Sequence, residues 1–159
     1  MPKRILAIDP GLATMGYAIV EEWTVLDVGV IKTTPDKPLA ERLQTIYFSL
    51  QRIIVHGEPD EMAIEELFSS RNVSTVVQVA QARGVALLVA AYNGLPVYEY
   101  TPNKVKLAIT GRGNANKTEV GLAVRHRFGL MSVPKPDDAA DACAIAWCHL
   151  QSQLVRIVQ

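Results

Sequence analysis

Apolar and polar positions alternate along this chain in a way that predicts its elements in turn. Lys3-Arg4-Ile5-Leu6-Ala7-Ile8 has the pattern of a buried strand, and it stops at Asp9-Pro10-Gly11, where Pro and Gly turn the chain. Residues 17–22 and 25–31 read as two further strands joined by a tight turn, which makes an antiparallel three-stranded meander. Leu39, Leu43, Ile46, Leu50, Ile53 and Ile54 fall on one face of a helix that Pro38 can start and Gly57 can end. Met62-Ala63-Ile64 is a short strand that runs into Glu65-Glu66. A helix then starts after Asn72 and runs to about Tyr92, with a second half so apolar that it needs cover on more than one side. Gly84 in its middle costs about 1 kcal/mol relative to Ala and fits a place where another backbone comes close. A symmetric dimer contact through this helix and its burial within one subunit both satisfy the pattern.

Pro96-Val97-Tyr98-Glu99-Tyr100 reads as a last strand. A helix over residues 102–109, a glycine-rich loop over 111–114 and a helix from about Ala115 to Phe128 follow. The final helix opens near Pro136-Asp137-Asp138 and continues through Trp147, with an alanine density suited to close packing on a sheet. The order β-β-β-α-β-α-β-α-α-α predicts one α/β domain over residues 1–159, built on a mixed sheet.

Composition narrows this further. With 49% apolar residues in a chain of 159, global disorder is excluded. The longest uninterrupted apolar run, residues 85–92, is far below the roughly 18 residues that span a bilayer, so no membrane association is expected. The first residues lack the pattern of a secretory leader, and a cytoplasmic location is expected. Cys143 and Cys148 lie about 140° apart on the last helix and read as reduced core thiols. Net charge is zero, yet residues 102–127 hold six basic side chains and one acid, leaving ten bases against fifteen acids elsewhere. A cationic segment set against an acidic remainder suits a metal-dependent nuclease, and equally a solvated helix-loop-helix surface.

Three carboxylate groups sit at the ends of elements. Asp9 closes the first strand, Glu65 and Glu66 close the fourth, and Asp138 and Asp141 lie near the start of the last helix. Parallel neighbouring strands bring their carboxyl ends to one sheet edge, where ligands bind in α/β folds. At a spacing of i, i+3, Asp138 and Asp141 can point at one place. Four such acids on one edge repel one another unless a cation intervenes, and hard oxygen ligands suit Mg²⁺ or Mn²⁺. Each piece has an ordinary explanation on its own: a turn for Asp9, and a capping box for Asp138-Ala139-Ala140-Asp141. Caps and turns have no reason to share an edge, so the joint pattern favours a metal site. Alternation alone does not choose between Glu65 and Glu66.

Ile8-Asp9-Pro10-Gly11, Ala63-Ile64-Glu65-Glu66-Leu67-Phe68, Gln81-Ala82-Arg83-Gly84, Gly111-x-Gly113-x-Ala115-x-Lys117 and Asp138-Ala139-Ala140-Asp141-Ala142 occur in this order. In that order and spacing they resemble the RuvC-type Holliday junction resolvases across nearly the whole chain. The resemblance implies an RNase H-like fold, a five-stranded mixed sheet flanked by helices. It implies a homodimer acting as an endonuclease on four-way junction DNA in recombination and repair, alongside the RuvA and RuvB branch-migration proteins. It makes Asp9, Glu65, Asp138 and Asp141 the catalytic metal ligands, for two Mg²⁺ or Mn²⁺ ions, and so selects Glu65 over Glu66. Phe68 matches an aromatic at the junction centre, and Lys106 and Lys117 match basic residues near the scissile phosphate. Arg71, Lys104 and Arg112 join these as expected DNA contacts.

Other classes share parts of this pattern. Nucleases that process structured RNA, including a YqgF-like group, use the same fold and acids. Actin-like ATPases and sugar kinases have a similar first loop, but they need two such domains, which 159 residues cannot supply. A module that only binds junctions has no use for four acids that repel phosphate.

Overall fold

The computed structural model describes residues 1–67 and 72–158. Its elements follow the predicted order: β1 (Arg4–Asp9), β2 (Thr14–Glu21), β3 (Thr24–Lys32), α1 (Leu39–Gly57), β4 (Glu61–Glu65), α2 (Val73–Tyr92), β5 (Val97–Tyr100), α3 (Pro102–Thr110), α4 (Lys117–Phe128) and α5 (Asp137–Val158). The five strands form one sheet in the order β3-β2-β1-β4-β5. β1, β2 and β3 pair antiparallel as the meander requires, while β4 runs parallel to β1 and β5 parallel to β4. The carboxyl ends of β1, β4 and β5 therefore share an edge, the property that makes such an edge a ligand site.

Strand alternation divides the core into two layers. Ile5, Ala7, Ala18, Val20 and Ala63 pack under α5 with residues of α3 and α4. Leu6, Ile8, Ile19, Met62 and Ile64 pack on the opposite face against α1 and α2. Small side chains bring α5 close to the sheet: Ala139, Ala140, Ala142, Cys143, Ala144 and Ala146 are all buried. Both cysteines are free, as expected, and burial pushes the Cys143 thiol up to about 12 and the Cys148 thiol to about 11.

Some boundaries differ from the sequence pattern for local reasons. α4 begins at Lys117 rather than Ala115, because Asn116 is the N-cap of a capping box with Glu119 and the loop therefore runs on to Asn116. α5 continues past Trp147 to Val158. Although long and apolar enough to cross a membrane, α2 buries Ala82, Ala86, Val89 and Ala90 in the layer it shares with α1. Full cover of α2 is not found: Val77, Leu88 and Tyr92 are exposed. Nor does any described residue outside the helix's own backbone lie within 4 Å of where a Cβ on Gly84 would sit, so among the described residues no backbone makes the close approach expected there.

One buried polar group ties the layers together. Glu61, at the start of β4, faces α5, where its Oε1 accepts from His149 Nε2 at 2.9 Å and also from Gln153. Glu61 Oε2 accepts from Lys3 at 3.2 Å, and His149 Nδ1 lies 2.6 Å from the Tyr100 hydroxyl. Neutral His149 satisfies Tyr100 and Glu61 together if Tyr100 donates to Nδ1 and Nε2–H donates to Glu61, with Gln153 then donating to Glu61 rather than to the ring. Burial holds His149 below its ordinary value against the pull of Glu61. Burial pushes Glu61 up, but hydrogen bonds from His149, Lys3 and Gln153 outweigh it and hold the carboxyl below its ordinary value. Both shifts disfavour protons in the folded state, so the stability they supply is present above about pH 6.5 and is lost on acidification. His149→Leu strands the buried carboxylate and is expected to cost about 3 kcal/mol at pH 7. Denaturant unfolding checks this, and the deficit should shrink toward pH 4 as Glu61 protonates in the variant; a deficit independent of pH would contradict it.

Candidate active site

Strand register decides which acids meet. Ile5 and Ala7 face α5, so Asp9, two residues on, leaves β1 on that same face. In β4 Ala63 faces α5 while Met62 and Ile64 face away, which puts Glu65 on the α5 side and Glu66 beyond the strand's end. Ile8 stands opposite Ile64 in the parallel pair, and Asp9 and Glu65 are the next residue of each strand. Face and register together put Glu65 beside Asp9 on the α5 side, which alternation within a single segment could not show; Glu66, beyond the strand, also lines the cleft.

α5 supplies the other two acids from above. The helix opens at Asp137, so Asp138 lies within its first turn rather than at its cap, and Pro136 O accepts from Ala139 N at 2.9 Å. Asp138 comes this close to the sheet because Gly16, opposite Asp9 on β2, has no side chain. A Cβ at Gly16 would stand 1.9 Å from the Asp138 carbonyl oxygen. The sequence pattern started this strand at residue 17 and left Gly16 outside it; the observed strand begins at Thr14, and a glycine inside a strand marks close backbone approach.

One carboxylate oxygen from each of Asp9, Asp138 and Asp141 lies within 4.8 Å of the others. Glu65 lines the same cleft, whose volume is about 700 Å³. Burial, followed by the charges of Glu65, Asp141 and Asp138, pushes the Asp9 carboxyl well above the usual range, and a hydrogen bond to Asp138 adds to this. Burial also raises Asp141, against the pull of Lys117. Lys117 Nζ donates to Asp141 Oδ2 at 3.0 Å. Burial disfavours that ammonium, but Asp141, Asp9 and Asp138 outweigh it and raise Lys117 above its ordinary value. The donor set is all carboxylate, and its repulsion at short range is relieved by a hard divalent cation, so the residues fit a Mg²⁺- or Mn²⁺-type ion.

The expected DNA contacts divide. Lys106 and Lys117 line the cleft. Lys104, on the same helix as Lys106, lies outside its lining, with Nζ 5.2 Å from the centre of the Tyr100 ring. Arg112 also lies off the cleft and pairs with Glu119 at 2.6 Å. Phe68 and Arg71 fall outside the described residues. Sequence reading gave no role to Arg83, which lines the cleft as well; its being the one charged residue of α2 was the available sign.

The sequence matches the family model for the crossover junction endodeoxyribonuclease RuvC over residues 5–149. This chain belongs to the RuvC family. It is 51% identical over 150 residues to the RuvC of Chloroflexus aggregans, covering 92% of each chain. The RuvC of Desulfitobacterium hafniense is 47% identical over 152 residues, covering 93% of this chain and 92% of that one. The fold agrees with T. thermophilus RuvC in complex with a Holliday junction substrate, with a TM-score of 0.88, 34% identity and 96% of both chains covered. The yeast mitochondrial Holliday junction resolvase Ydc2 shares the fold at 16% identity, with a TM-score of 0.65, 97% of this chain and 82% of that one covered. The RNase H-like, five-stranded mixed α/β architecture is therefore that of RuvC, and the acidic cleft lies at the edge where its parallel strands end.

In this RuvC-family chain Gly16→Ala is expected to push the start of α5 off β2. Strain of this kind costs about 1–3 kcal/mol. Mn²⁺ affinity, measured by calorimetry, should fall by about tenfold or more as Asp138 and Asp141 move away from Asp9. An affinity equal to the parent's would show that α5 does not depend on Gly16 for its place.

Proposed function

We propose that this protein is a single-domain endonuclease that nicks four-way DNA junctions in symmetric pairs by phosphodiester hydrolysis. The observation that carries this reading is the gathering of Asp9, Asp138 and Asp141 within 4.8 Å, in one cleft with Glu65, Lys106 and Lys117. The four acids are assigned as metal ligands and catalytic residues. When bound, two Mg²⁺ or Mn²⁺ ions would polarise the attacking water and stabilise the leaving 3′-oxygen.

The chain's own groups account for the rest. Carboxylates alone repel a phosphate, and Lys106 and Lys117 offset that by drawing the backbone down to the cleft as point charges. Lys117, pinned to Asp141, is held beside the reacting phosphate and can balance charge that develops there. Lys104 and Arg112, off the cleft floor, are assigned to phosphates farther along an arm, Phe68 is assigned the junction centre from the resemblance, and Arg71, close after it in sequence, is assigned a phosphate contact.

Paired nicks need paired sites. The exposed Val77, Leu88 and Tyr92 on α2, with Gly84 open among them, support a homodimer through this helix. A two-fold dimer then presents two clefts to one junction. RuvA and RuvB are the partners this reading carries from the family, with a cytoplasmic location.

The test is cleavage of a synthetic four-way junction beside linear duplex and structured RNA, with Mg²⁺, Mn²⁺ or EDTA. Metal-dependent paired cuts confined to the junction are expected, and Asp9→Asn should remove them while junction binding persists. Cleavage of RNA alone, or equal cleavage of linear duplex, would overturn the junction assignment.

A further inference from the structure

Arg83 belongs to the Gln81-Ala82-Arg83-Gly84 motif, and the reaction as outlined gives it no part. Its side chain is 14% exposed, although it projects from a helix on the face of the sheet opposite α5. Nε donates to the backbone carbonyl of Glu65 at 3.1 Å, and Nη2 pairs with Glu99 at 2.6 Å. Tyr98 and Tyr100 face α5, so Glu99 between them faces α2, where Arg83 meets it. The rigid guanidinium therefore joins α2 to the last turn-off point of β4 and to β5 at once.

Glu65 pairs with Tyr100 of β5, and Glu66 N donates to Tyr100 O at 2.8 Å; Arg83 adds a hold from α2. Glu65 is the final residue of β4, and the described chain leaves regular structure directly after it. A strand end opens more readily than a strand centre, and a metal ligand there loses aim when the backbone does. We propose that Arg83 is a positioning residue for Glu65: by bonding the Glu65 carbonyl from α2, it fixes the direction in which the Glu65 carboxylate enters the cleft. This rests on the assignment of Glu65 as a metal ligand. Because α2 also carries the exposed face assigned to the dimer, the same arginine ties that face mechanically to a catalytic acid.

Arg83 also lines the cleft, so the competing role is a direct phosphate contact. Arg83→Met keeps the aliphatic stem and removes both bonds. Mn²⁺ binding without DNA is measured by calorimetry, and junction binding is measured in EDTA across a salt series. Loss of an outer partner typically costs about 10–100-fold in metal affinity, and a fall of that size is expected here. Junction affinity should stay within about twofold, with the salt slope unchanged. Single-turnover cleavage should fall in parallel with Mn²⁺ affinity.

Unchanged Mn²⁺ affinity would overturn the proposal. So would weakened junction binding with a salt slope shallower by about 0.9, the mark of a lost phosphate contact. Glu99→Gln retains an acceptor for Nη2 and the Glu65 bond, and its Mn²⁺ affinity should match the parent's. A fall as large as that of Arg83→Met would shift the effect from the carbonyl bond to the ion pair and also overturn it. If Arg83→Met does not fold, Arg83→Lys, whose single ammonium cannot reproduce the fork, carries the same comparison. Failure of the parent protein to cleave junctions would count against the nuclease assignment alone, since the Mn²⁺ measurement needs no substrate.

Discussion

The structure depends on holding like charges together. Asp9, Asp138 and Asp141 each place an oxygen within 4.8 Å of the others, with Glu65 near enough to add to the charge on Asp9. Carboxylates prefer water to such company, and burial together with the neighbouring acids pushes the Asp9 carboxyl well above its usual range. A fold that keeps them together has to secure each carrier element elsewhere, and the surrounding packing does this.

Each carrier has its own fastening. β1 lies in the middle of the sheet and is buried on both faces from Ile5 to Ile8. α5 rests on alanines and on the gap left by Gly16, so its first turn sits directly over the strand ends. Farther along α5, His149 reaches Glu61 at the start of β4, and at the other end of that strand Arg83 bonds the Glu65 carbonyl. The strand that delivers Glu65 is thereby held at both ends, by helices on opposite faces of the sheet. Groups outside the acidic cluster thus fasten the elements that carry it.

Much of this was legible in the sequence because it rests on local rules. Period-two alternation and Pro-Gly punctuation located the strands, and the meander and the order of all the elements followed from them. The acids were visible as residues that end strands or open a helix. What lay beyond the sequence was relational. The face of Glu65 depends on Ala63 sharing a layer with Ala7, which single-segment alternation cannot reveal. Lys104 and Lys106 are alike in sequence, yet only Lys106 lines the cleft, because two residues on a helix turn a side chain through about 200°. Gly16 and Arg83 gain their meaning from partners far along the chain, an Asp138 carbonyl and a Glu65 carbonyl.

The central claim is that the carboxylate cluster is a metal centre rather than a set of caps and turns. Crystals grown with Mn²⁺, with anomalous scattering recorded at the manganese edge, test it most directly. Anomalous density between Asp9, Asp138 and Asp141, with Glu65 within ligand reach, is the predicted result. Manganese density only elsewhere on the surface, or no density at the cluster with Mn²⁺ in excess, would contradict it.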